Sequence, residues 1–185
     1  MFKFSQFASI RFAAIAGTLM LFACTPKFDW REVRGTDAPF VVLMPAKPST
    51  LARAINIGGT AVTMTMTGAD IDGVNFAVGS AELADHAQAQ ATLSAIQTAL
   101  VKNINGTIRH QKSSTVAHSS GAVTRRTAAL EIEAGGTPDN SDQAWLLLAR
   151  FVAQDRRIYQ VVVLGRADAV SRDEAETFLS SFKLN

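Results

Sequence analysis

Two short runs, Trp145-Leu146-Leu147-Leu148 and Tyr159-Gln160-Val161-Val162-Val163-Leu164, are nearly apolar from end to end. A strand with one wet face alternates apolar and polar side chains, so a strand without alternation has to be covered on both faces. The chain therefore needs a sheet whose centre carries a packing layer on each side. Asp155-Arg156-Arg157 falls between the runs and supplies a charged turn, which makes the two strands neighbours.

The remaining segments say what else is in the fold. Phe40 to Met44 is an apolar run bounded by Pro39 and Pro45, and Leu51 to Ile57 alternates before stopping at Gly58-Gly59. In Ala61 to Thr67 the alternation is strict, with Val62, Met64 and Met66 on one face and Thr63, Thr65 and Thr67 on the other. Asp72-Gly73 turns the chain, and Val74, Phe76 and Val78 keep the two-residue period toward Glu82. Then the period changes. Ala89, Leu93, Ile96, Leu100 and Ile104 lie on one stripe of a helix from about Asp85 to Asn105, with Gly106 past its end. Strand signals return in Thr107 to His118 and in Thr124 to Ala134, where Ala128, Leu130 and Ile132 face one side and Glu131 and Glu133 the exposed side. Ser171 and Glu174 stand in capping-box spacing ahead of Ala175, Phe178, Leu179 and Phe182, the apolar face of a terminal helix. The pattern predicts one α+β domain, a mostly antiparallel sheet of two strand meanders packed by a mid-chain helix and a C-terminal helix.

The N-terminus carries a different message. Lys3 and Arg11 charge the leading segment, the eleven residues Phe12 to Phe22 have no charge, and Ala23 precedes Cys24, the only cysteine. That is the order of an export signal, and the apolar run is far shorter than the roughly 20 residues of a membrane-spanning helix. Leu21-Phe22-Ala23-Cys24 resembles the lipobox of bacterial lipoproteins, with Phe22 where a small residue is usual. The resemblance implies cleavage after Ala23, directed by Leu21 and Ala23, and acylation of Cys24. The expected divisions are a signal peptide at 1–23, a lipidated cysteine with a short tether at 24–37, and the α+β domain at 38–185. Thr25, in place of the aspartate tied to inner-membrane retention, points to the periplasmic face of the outer membrane, so the membrane itself is one expected partner.

Removing the signal changes the charge balance. Lys+Arg exceed Asp+Glu by 18 to 16 in the whole chain, but Lys3 and Arg11 belong to the signal and no acid does. The mature part is neutral, which argues against nucleic acid as a partner, because that affinity rests on a concentrated basic surface. With Cys24 committed to lipid, no disulfide is available, and the domain relies on apolar burial.

Phe40-Val41-Val42-Leu43-Met44-Pro45-Ala46-Lys47-Pro48, followed by hairpins, a mid-chain helix and a final helix ending in Phe178 to Phe182, resembles the PsbP-like α/β/α sandwich family. The resemblance implies an antiparallel sheet between helices and a non-enzymatic role in binding or assembly, with no catalytic motif and no cofactor. A helix-grip fold that carries a small hydrophobic ligand has similar elements and is the alternative.

Signals of catalysis are sparse. His86, His110 and His118 are the only histidines, none has zinc-pair spacing, and His110 and His118 would stand about 26 Å apart on one strand. Gly68 to Gly73 has glycine in place of the first ligand of a calcium loop, and Gly79-Ser80 lies within a strand, away from any strand-to-helix elbow. The expectation is no catalytic residue and no metal site. For recognition, the eight residues Gly135 to Asp142 make an unusually long polar connection, so Thr137, Pro138, Asp139, Asn140 and Asp142 form a candidate interaction loop. Arg125-Arg126 and Arg156-Arg157 read as solvated charge, each pair split between two strand faces, and Met64 and Met66 read as core. The functional expectation is a lipid-anchored envelope module that engages an envelope protein partner.

Overall fold

A computed structural model describes residues 27–120 and 123–185. Cys24, with Leu21 and Ala23, lies outside the described residues. Among the described residues ten strands form one open sheet, mostly antiparallel, accompanied by two helices. In chain order these are β1 (Arg31–Arg34), β2 (Phe40–Met44), β3 (Ser49–Ile57), β4 (Thr60–Ile71), β5 (Val74–Glu82), α1 (His86–Asn103), β6 (Thr107–Ser120), β7 (Val123–Gly136), β8 (Trp145–Gln154), β9 (Arg157–Arg166), α2 (Arg172–Ser181) and β10 (Lys183–Leu184). Across the sheet the order is β1-β2-β10-β6-β7-β8-β9-β5-β4-β3. No helix among the described residues is long and apolar enough to cross a membrane.

The two apolar runs sit where their composition demands. β8 and β9 pair antiparallel near the middle of the sheet, Leu148 opposite Val163 and Val152 opposite Tyr159. Their alternate side chains feed two separate cores. Leu147, Phe151, Ile158 and Val162 join Met64, Ala89 and Ile96 on the α1 side. Val152, Tyr159, Val161 and Val163 join Phe40, Phe76, Phe178 and Phe182 on the α2 side. Burying both faces of two strands removes far more apolar surface from water than a one-sided sheet does, at about 25 cal/mol per Å².

Local chemistry sets the helix boundaries. Asp85 caps α1 by accepting from Gln88 N at 2.8 Å, and Gln88 Oε1 reaches back to Ala84 N at 3.0 Å, so two otherwise unpaired amides are satisfied. At the other end Asn105 adopts φ 47°, and Gly106 N bonds Val101 O, which stops the helix. Ser171 caps α2 through Glu174 N at 3.4 Å, and Asp173 and Glu174 place negative charge in its first turn.

Two strands have no counterpart in the sequence reading. β1 lies inside the segment expected to be a tether, and ahead of it Phe28 stacks on Trp30 at 5.9 Å and meets Phe76 edge-on at 6.5 Å. β10 is only two residues long, yet it joins β2 to β6, pairing antiparallel with the first and parallel with the second.

Candidate functional site

A cleft of about 590 Å³ lies between α2 and strands β6 to β8. Sheet register builds its floor. Lys112 on β6 stands opposite Glu131 on β7, and Glu131 stands opposite Arg150 on β8, so a carboxylate sits between two cations on one face. Arg150 donates from Nε and Nη2 to Glu131 Oε1 at 3.0 and 2.6 Å, and Lys112 Nζ holds the other oxygen at 3.0 Å. Arg150 Nη1 also donates to Leu179 O at 2.5 Å, tying the end of α2 to the sheet. At the mouth, Arg172 of the first turn of α2 clamps both oxygens of Glu133 at 2.9 and 2.8 Å, and His110 stands opposite Glu133 on the neighbouring strand. Asp173 and Glu176 line the helical side, with Leu148 and Leu179 adding apolar surface.

This placement corrects the expectation that Glu131 and Glu133 lie on an exposed face. Their side chains are only 15% and 16% exposed. β7 is an inner strand, and α2 extends over the face that its odd-numbered residues share, so alternation within β7 marks two covered sides. Burial pushes the Glu131 carboxyl up, but the Ser114 hydroxyl, Lys112 and Arg150 together hold it below the usual carboxylate range. The Arg172 guanidinium likewise holds Glu133 low, against a smaller opposing effect of burial. Groups lowered in this way stay ionised at neutral pH and accept hydrogen bonds, whereas a general acid needs a shift in the opposite direction. The cleft is thus suited to exchanging ion pairs with a polar visitor.

The sign of these shifts gives a test. A carboxyl lowered on folding adds stability above its ordinary value of 4.5 and loses it as pH falls through the folded value. Stability should therefore start to drop as pH falls past about 4.5, and Glu133→Gln should flatten that drop while leaving Glu131's share. Urea denaturation above and below that pH checks it; an unchanged slope in Glu133→Gln would show that the Arg172 clamp does not hold in solution.

The other predicted residues are dispersed. The loop holding Thr137, Pro138, Asp139, Asn140 and Asp142 is fastened to the end of α1, where Asn105 Nδ2 donates to Thr137 O at 3.3 Å and to Asp139 Oδ1 at 2.5 Å. Gly136 packs so closely there that a Cβ would lie 2.1 Å from Ile104 O. Trp145 Nε1 donates to Ser141 Oγ at 3.4 Å and pins the far side of the loop. Register places this loop at the same end of the sheet as the β4–β5 turn, where Lys27 meets Asp72 at 2.9 Å.

His86 contacts Asp155 O at 3.1 Å, His118 contacts Gln154 at 3.0 Å, and His110 stays near the cleft mouth. Among the described residues no group of three or more His, Cys, Asp or Glu converges as a metal site. Arg156 and Arg157 both bind Glu82, a correction to the split expected of adjacent strand residues. Arg156 belongs to the turn, so strand alternation does not govern it. Tyr159, behind them, is fully buried, and burial pushes its hydroxyl up to about 12. Met64 is buried and Met66 half-buried on the α1 side. The cleft itself was missed in the sequence, although Lys112, Glu131 and Arg150 would have signalled it had the register of three strands been known.

Neither a protein-family model nor a curated protein sequence matches this chain.

Proposed function

We propose that the chain is a non-enzymatic binding or assembly module of the bacterial envelope, anchored through acylated Cys24 at the periplasmic face of the outer membrane. In this reading the domain is a PsbP-like sandwich, two strand meanders packed by α1 and α2, and its partner is another envelope protein. One observation carries the reading: the α2 cleft pairs Lys112, Arg150 and Arg172 with Glu131 and Glu133, whose carboxyls are held ionised. Such a surface favours a partner with charges of both signs, because each ion pair exchanged keeps every group compensated. Lys27, three residues past Cys24 in the sequence, meets Asp72 at the end of the sheet that also carries the 137–142 loop.

The test is photo-crosslinking in intact cells from position 176, on the cleft, and from position 99, exposed on α1. An envelope protein captured from 176, absent from 99 and lost on Arg172→Glu supports the assembly role. Equal capture from both positions overturns it. Recovery of a small hydrophobic molecule in the lipid extract would favour the carrier alternative, for which Leu148 and Leu179 offer apolar surface. Intact mass of the membrane-extracted chain decides the anchor separately: a chain still beginning at Met1, or starting at Cys24 without lipid, removes that part.

A further inference from the structure

The two terminal strands of the sheet are built differently, and β6 is a third, partly open edge, since β10 meets it only at His118. β1 is four residues long and carries Arg31, Glu32 and Arg34, with Arg34 bonded to Glu32 at 2.7 Å. Short, charged edges discourage further pairing. β3 is nine residues long, has no proline, and carries Arg53 as its only charge. It pairs with β4 on one side and with no other strand among the described residues. Residues Ser49 to Ala54 are all exposed, and Leu51 is 54% exposed, the kind of edge that natural sheets usually protect.

We propose that β3 is a dimerisation edge, pairing antiparallel with β3 of a second copy about Ala54 and joining two ten-stranded sheets into one. The strand's own sequence selects both occupant and register. Odd-numbered residues of β3 share the face of Val62, Met64 and Met66, and even-numbered residues share the other. An antiparallel partner has to match odd with odd to keep both faces continuous.

About Ala54, Leu51 stands opposite Ile57 of the second copy, Arg53 opposite Ile55, and Ala52 opposite Asn56. Leu51, more than half exposed, thereby gains an apolar neighbour, and the two Arg53 guanidinium groups stand apart. A register about Arg53 sets those guanidinium groups face to face, which is destabilising. A register about Ala52 leaves Ile57 beyond the paired stretch. Alanine at the centre lets the strands meet without a bulky contact on the dyad, and the isologous geometry closes at two copies, so the edge is consumed.

Single-cysteine crosslinking of the full chain, purified in detergent and carrying Cys24→Ala so that the introduced thiol is the only one, tests this. Directly opposed residues of an antiparallel pair have Cα atoms about 4.5 to 5.5 Å apart, within disulfide range. Ala54→Cys should give the dominant disulfide dimer on mild oxidation. Ala52→Cys and Asn56→Cys should fail singly, because each lies about 14 Å from its own copy, and should crosslink when the two are mixed. Leu51→Lys should shift the sedimenting species from dimer to monomer with an unchanged circular dichroism spectrum. A parent chain that sediments as a monomer at tens of micromolar overturns the proposal. So does a dimer whose disulfides form at Val123→Cys, on the β7 hairpin, in preference to Ala54→Cys.

Discussion

Phe178→Ala should lower the folding stability of the domain by roughly 3 to 5 kcal/mol, and Phe182→Ala by a similar amount. Phe178 is fully buried and meets Phe76 edge-on at 5.5 Å, while Phe182 lies 5.7 Å from Tyr159 and 5.8 Å from Phe40. These rings fasten α2 and the chain end to β2, β5 and β9 at once, so truncation leaves a cavity bounded by strands that cannot all close in. Ser171→Ala tests the same helix by another route and should cost nearer 1 kcal/mol, the usual value of an N-cap. Chemical denaturation separates the two magnitudes. If both phenylalanine variants unfold within about 1 kcal/mol of the parent, α2 does not seal this core in solution.

Much of the local structure was legible because it follows from spacing. The strict alternation around Val62, Met64 and Met66 and the unbroken apolar runs in β8 and β9 report how many faces of a strand are covered, and that is a property of each strand alone. The stripe from Ala89 to Ile104 likewise located α1, and Gly106 marked where it stops. Strand order is another kind of fact. β10 has two residues and no period of its own, and it becomes a strand because α2 delivers it into the gap between β2 and β6. β1 is formed by Arg31 to Arg34, a charged segment that reads as solvent-loving until β2 supplies a partner.

The cleft was illegible for the same reason. Lys112, Glu131 and Arg150 are 19 residues apart at each step, and only the registers β6–β7 and β7–β8 bring them into one row. Alternation in β7 separated Glu131 and Glu133 from Leu130 and Ile132 correctly, but it could not say that a helix covers the charged side as well. A carboxylate at an alternating position is exposed by default; it is tolerated under a helix only when cations are delivered from neighbouring strands, and those cations are non-local.

The Arg150 contacts set the second large effect. Arg150→Met should cost roughly 3 kcal/mol at neutral pH, near the lower end of what breaking a buried ion pair costs. The substitution keeps much of the aliphatic volume while removing the donors to Glu131 and to Leu179 O. Glu131 retains Lys112 and slight exposure, which limits the loss. Adding Glu131→Leu to Arg150→Met should restore part of the stability, because the stranded carboxylate goes with it, leaving the Leu179 carbonyl without its donor and the largely exposed Lys112 without its partner. The pH dependence distinguishes this account from a simple packing defect. In the parent, Glu131 is held below its ordinary value and adds stability that is present at neutral pH and lost as pH falls. Without Arg150, burial acts against fewer compensating groups, the carboxyl rises, and protonation relieves the variant earlier. The stability gap between parent and Arg150→Met should therefore narrow from pH 7 to pH 4. A gap that stays constant across that range, or a double variant that loses the full sum of the two single losses, would mean that the Arg150–Glu131 bridge contributes nothing of its own and that Arg150 acts through packing alone.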